Sequence, residues 1–100
     1  MSEVGGDGSA VPELRRITTI HNRRGLHARA AARFVKLAWD YDADVQVAKN
    51  GTSVSGRSIM GLMMLAAGPG TEIELRASGP QAEPALDALV ALIESGFDED

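Results

Sequence analysis

Thr71 to Ala77 alternates without a break, with Ile73, Leu75 and Ala77 on one side and Glu72, Glu74 and Arg76 on the other. A period of two is the signature of a strand with one buried face. Ala43-Asp44-Val45-Gln46-Val47 repeats it, and Asn50-Gly51 beyond it is a hairpin signal with Thr52-Ser53-Val54 as the return strand. Leu14 to Ile20, ending in Ile, Thr, Thr and Ile, reads as the first strand. Elsewhere the period is helical. Ala31, Phe34, Val35 and Ala38 fall at i, i+3, i+4 and i+7, with Arg33, Lys36 and Asp40 on the other side, which predicts a helix from Ala28 to Trp39. Trp39 itself lies off that stripe. Ser58, a favoured N-cap, precedes a short helix from Ile59 to Leu65, and Gly68-Pro69-Gly70 stops it. Gly79-Pro80 opens a last helix with Ala82, Leu86, Leu89, Val90 and Ile93 as its apolar stripe and Gly96 at its C-terminal stop.

The order is therefore βαββαβα. Four short strands patterned on one side, with three helices between and after them, predict an α+β fold in which an antiparallel sheet carries its helices on one face. The chain has 100 residues and 44% apolar content, enough for one two-layer core. Residues 1–12 are Gly- and Ser-rich without periodicity and read as a disordered extension. The domain is expected over residues 13–96, with an acidic tail over 97–100. No internal repeat is present.

Composition narrows the function. No cysteine is present, so disulfide and thiolate chemistry are excluded. The N-terminus lacks the basic and apolar regions of a signal peptide, and the run from Ile59 to Ala67 is too short to span a bilayer. The expected setting is the cytoplasm, without membrane insertion. Net charge is −4, against general nucleic-acid affinity. Yet Arg15, Arg16, Arg23, Arg24, Arg29, Arg33 and Lys36 fall between Glu13 and Asp40 with no acid among them. They form either a basic pole suited to phosphate and acidic partners or an ordinary solvated face.

Gly25-Leu26-His27-Ala28-Arg29 sits inside that basic stretch and leads into the alanine-rich first helix. The order places His27 at the helix start, where free backbone N–H groups and the positive end of the dipole favour anions. Arg29 adds a guanidinium that holds phosphoryl oxygens in a bidentate way. A nucleophilic imidazole beside a phosphate cradle points to a histidine that is itself phosphorylated. His21 lies at a strand end instead and reads as a plain loop residue. With no cysteine and no carboxylate nearby in the chain, the two histidines make no metal ligand set, and neither metal nor cofactor is expected.

GLHARAAARFV, the segment AKNGTSVSGRSIMGLMMLAAGPGTEIEL and the element order together resemble HPr, the histidine-containing phosphocarrier family of the bacterial phosphotransferase system, most closely its proteobacterial or nitrogen-type members. The resemblance spans Leu14 to Gly96 and implies an open-faced β-sandwich. It implies that His27 is the phosphorylated histidine, through Nδ1, and that Arg29 neutralises the phosphoryl group. It implies that Ser58 is the regulatory serine modified in many bacteria by an ATP-dependent HPr kinase/phosphorylase. Ile59, Met60 and Met63 match the apolar patch that docks on enzyme I and on an enzyme IIA-type acceptor. The expected protein is a monomeric, stoichiometric carrier rather than a turnover enzyme. Many members carry proline after H-A-R; here Ala30 stands there, so φ is less fixed in the first turn.

Each of these residues also has a plainer reading. Ser58 is a helix cap whatever else it does. Met60 and Met63, at i and i+3, share a face, and Met suits surfaces that accept several partners; Met64 and Leu65 are expected in the core. A regulatory binding module is the alternative function, in which the state of Ser58 or His27 controls docking on a transcription factor or metabolic enzyme. Nucleic-acid binding through the basic pole lacks a recognition helix.

Overall fold

A computed structural model describes residues 12–99. It contains β1 (Leu14–Thr19), α1 (Ala28–Ala38), β2 (Asp44–Lys49), β3 (Thr52–Ser55), α2 (Ile59–Met64), β4 (Glu72–Ser78) and α3 (Ala82–Glu94). The strands form one sheet in the order β1-β4-β2-β3, every pair antiparallel. The four-stranded, three-helix architecture is the one that the patterning predicts. The boundaries move by one or two residues. The expected extension lies outside the described residues except for Pro12.

Period-two patterning is visible in what each strand buries. Val45 and Val47 of β2 and Ile73, Leu75 and Ala77 of β4 point into the core, where they meet Phe34, Leu62, Leu86, Leu89 and Ile93 from the helices. Each fully buried Leu, Ile or Phe side chain contributes about 1.5–3 kcal/mol relative to leaving it exposed. The opposite face is open to solvent, and Ile17 stands exposed on it. Asn50 and Gly51 both have positive φ, at 49° and 83°, as a type I′ hairpin turn requires.

Met64, expected in the core, is 77% exposed. The reason is geometric. In a helix of six residues the inward line is set by Leu62 and Leu65, both buried, and Met60 and Met64 at i and i+4 lie on the far side. Trp39, at the C-terminal end of α1, is exposed, and the Arg57 guanidinium stacks over its ring 4.1 Å from the centroid.

The chain end also departs from the sequence reading. The sequence sets residues 97–100 outside the domain as an acidic tail, but Phe97 is fully buried; Asp100 lies outside the described residues. Gly96, with φ +69°, ends α3: its N–H donates to the Ile93 carbonyl and that of Phe97 to the Leu92 carbonyl, the two bonds of a Schellman motif. Phe97 and Asp98 continue with φ of 59° and 58°, so three successive residues are left-handed. That turn sends Phe97 into the core and brings Glu99 back across the start of α1.

Candidate functional site

The loop from His21 to Leu26 delivers His27 to α1. Gly25 has φ +65°, and a Cβ there would lie 2.3 Å from the Ala67 carbonyl oxygen. Only glycine fits. Leu26 then donates its N–H to that same carbonyl at 2.9 Å and buries its side chain, which tethers the loop to the segment after α2.

His27 is the N-cap of α1, as its place before the alanine run predicts. Its backbone is extended, and Nδ1 accepts a hydrogen bond from the Arg29 backbone N–H at 3.3 Å. A histidine here takes the part usually played by Ser or Asp, whose side-chain oxygen satisfies an orphan amide. The ring is held from the other side as well: Nε2 lies 2.6 Å from Oε2 of Glu99. An ionised carboxylate only accepts, and the nitrogen facing the Arg29 amide must also accept. The neutral ring is therefore protonated at Nε2, with the Nδ1 lone pair turned to the helix start. Its side chain is 21% exposed, so the ring is not sealed in the core.

Sequence reading finds no carboxylate near His27 along the chain. The fold supplies one from 72 residues away. The Asn22 side-chain amide donates to Oε1 of Glu99 at 3.0 Å and to the Gly25 carbonyl at 2.8 Å. The hydrogen bond from Asn22 first, and then the hydrogen bond and charge of His27 and the charge of Arg33, hold the Glu99 carboxyl below its ordinary range against the opposing effect of burial. Neither Asn22 nor Glu99 stands out in the sequence. The one available signal was Phe97, an aromatic residue in an acidic run, which is poor material for a solvated tail.

Arg29 is exposed, and it lines a shallow depression with Arg23, Arg24, Arg33, Asp98 and Glu99. Four arginines of the basic stretch thus gather beside the carboxylate that holds the histidine, with two acids of the chain end among them, while Arg15 and Arg16 lie on β1 and pair with Glu74 and Asp87. Arg33 also donates to the Phe97 carbonyl, which ties α1 to the chain end. His21 is exposed in the loop and takes no part. Among the described residues, no group of three or more His, Asp or Glu side chains is arranged to hold a metal ion.

Ser58 is the N-cap of α2, and its Oγ accepts from the Gly61 N–H at 2.9 Å. Ile59, Met60 and Met63 follow it, at 42%, 70% and 40% exposure, so together with Met64 they leave an apolar surface on a helix that packs against α1. Scattered exposed apolar residues need no explanation, but four on one six-residue helix form a patch.

A family model described as "PTS HPr component phosphorylation site" matches residues 14–95. The phosphocarrier protein HPr of Pseudomonas aeruginosa is 55% identical over 82 residues, covering 81% of this chain and 91% of that protein. The phosphocarrier protein NPr of Escherichia coli is 41% identical over 88 residues, covering 87% of this chain and 98% of that one. Among solved structures, HPr of Thermoanaerobacter tengcongensis superposes with a TM-score of 0.83 at 41% identity, covering 87% of this chain and 98% of that one. A matched model over nearly the whole described fold, relatives aligned almost end to end and the shared architecture lead to one conclusion: this chain belongs to the HPr phosphocarrier family of the phosphotransferase system.

Proposed function

We propose that His27 accepts a phosphoryl group from the phosphohistidine of a phosphoenolpyruvate-dependent enzyme I and hands it to a histidine of an enzyme IIA-type acceptor. The observation that carries this reading is the orientation of the ring, with Nδ1 at the opening of α1 and Nε2 held by a carboxylate. In the uptake step the Nδ1 lone pair forms the new N–P bond, and the N–P bond of the donor breaks with its electron pair returning to the donor nitrogen. In the onward step the N–P bond at His27 breaks, its pair returns to Nδ1, and the acceptor nitrogen forms the next bond. The Nε2 proton remains where it is in both. Phosphoryl transfer passes through a loose transition state in which charge neutralisation and alignment matter most. Arg29 and the first amides of α1 supply the former.

Ile59, Met60 and Met63 are the proposed docking surface, supported by their exposure beside the helix that carries the histidine. Ser58 is the proposed regulatory site for an HPr kinase/phosphorylase. A phosphate on it would sit at a helix start, where the backbone tolerates it, and would charge the edge of the apolar patch. The protein then works in the cytoplasm as a monomeric carrier that partners enzyme I, the IIA-type acceptor and the kinase in turn.

Incubation with labelled phosphoenolpyruvate and enzyme I tests the relay. Wild type should take up acid-labile label and lose it to a IIA-type protein; His27→Ala should take up none. Label that enters wild type and never leaves for any acceptor would instead support a module whose phosphorylation state controls docking.

A further inference from the structure

The left-handed run at Gly96, Phe97 and Asp98 goes beyond what stopping a helix needs, since the glycine alone does that. Non-glycine residues stay in that region only where their surroundings hold them there. What the run achieves is both the burial of Phe97 and the return of Glu99 to the histidine. Three hydrogen bonds secure it: the Glu99 N–H to the Gly96 carbonyl at 3.0 Å, the Asp98 N–H to Ser95 Oγ at 3.3 Å, and Ser95 Oγ to the Leu92 carbonyl at 2.8 Å. Opposite it stands Asn22, 3% exposed, whose amide spends both donors on Gly25 and Glu99.

We infer that Asn22 and Glu99 are positioning residues for the phosphoryl-bearing ring: Asn22 sets the Glu99 carboxylate against Nε2, and Glu99 keeps the ring proton there, so that Nδ1 stays unprotonated for attack. This rests on the carrier reading above. A ring protonated at Nδ1 has no lone pair to offer phosphorus. Once Nδ1 carries the phosphoryl group, the ring with its Nε2 proton is a cation. The charged groups that line the depression beside it are Arg29 and Arg33 on α1, Arg23 and Arg24 in the preceding loop, and Asp98 and Glu99 at the chain end. The guanidiniums answer the anionic phosphoryl oxygens rather than the ring, and among the described residues Glu99 is the acid in contact with the ring. Because the proton does not move, departure of the phosphoryl group returns a neutral imidazole already in the form that reacts again.

The test uses the full chain, uncharged, as wild type, Glu99→Ala and Asn22→Ala. Proton NMR of the His27 Nε2–H reads the contact itself. Wild type should show a protected resonance. In Glu99→Ala its exchange with solvent should rise about tenfold or more, as loss of a charge-assisted hydrogen bond dictates, and Asn22→Ala should fall between. Steady-state labelling by enzyme I should show kcat falling about tenfold in Glu99→Ala with KM unchanged. Equal exchange in wild type and Glu99→Ala, or labelling of that variant at the wild-type kcat, overturns the inference. If no protein is labelled, the carrier reading fails, and the exchange measurement still decides whether Glu99 holds the ring.

Discussion

Nδ1 of His27 caps α1 by accepting from the Arg29 backbone N–H at 3.3 Å, without involving the guanidinium of Arg29. Backbone and side chain of Arg29 therefore have separable roles. Arg29→Ala should leave thermal stability within about 0.5 kcal/mol of wild type, as for exposed positions generally. It should lower the rate of phosphoryl transfer about 10–100-fold, the kinetic equivalent of one lost hydrogen-bonded charge pair. Arg29→Lys should recover only part, because an ammonium lacks the bidentate fork. Denaturation curves beside transfer kinetics check both halves.

Gly25 is the hinge of the loop that presents the histidine. Gly25→Ala would put a methyl group 2.3 Å from a backbone oxygen at a φ of +65°, so neither a rotamer change nor a side-chain shift relieves it. The expected loss is about 2–3 kcal/mol of stability, measured by urea denaturation. Because Leu26 hangs from the same carbonyl, the His27 and Arg29 amide resonances should shift with it.

Ser58 separates capping from charge. Ser58→Ala removes the bond to the Gly61 N–H and should cost about 1 kcal/mol. Ser58→Asp keeps a good cap and places an anion beside Ile59 and Met60, so stability should stay near wild type while the KM for enzyme I rises. Calorimetry and labelling kinetics on the two variants distinguish these outcomes. Met60→Ala, at a position 70% exposed, should also raise KM without loss of stability.

Glu99 makes stability depend on pH in a definite direction. Its carboxyl titrates below the ordinary value of 4.5 in the folded protein, chiefly because of the Asn22 hydrogen bond. The unfolded chain then binds the proton more readily than the native one. The stabilisation is complete above the unfolded value, shrinks as pH falls from there toward the folded value, and is gone below it. The gap in denaturation midpoint between wild type and Glu99→Gln should therefore be widest near neutrality and close under acid conditions. A gap that widened as the pH fell would contradict this.

The parts of this molecule that are local were readable in the chain. Alternation in Thr71–Ala77 identifies a strand because one face of the sheet is buried, and the Gly25-Leu26-His27 junction identifies a helix start because capping is decided within a few residues. What escaped depends on distance. Glu99 reaches His27 only through a Schellman turn and a buried Phe97, and no periodicity in an acidic run reports either. Asn22, in a polar loop, looks like any turn residue until Glu99 arrives. Met64 stays outside the core because Leu62 and the C-cap Leu65 fill the inward line of a helix this short. Trp39 has its place only when Arg57, from the turn between β3 and α2, covers the ring.

The most direct test of the account is the atom that receives phosphorus. Nitrogen and phosphorus NMR of the ¹⁵N-labelled protein, charged by enzyme I and phosphoenolpyruvate, should show one phosphorylated histidine, His27, bonded to phosphorus through Nδ1 with its proton on Nε2. Phosphorus found on Nε2 of His27, or on His21, would contradict it.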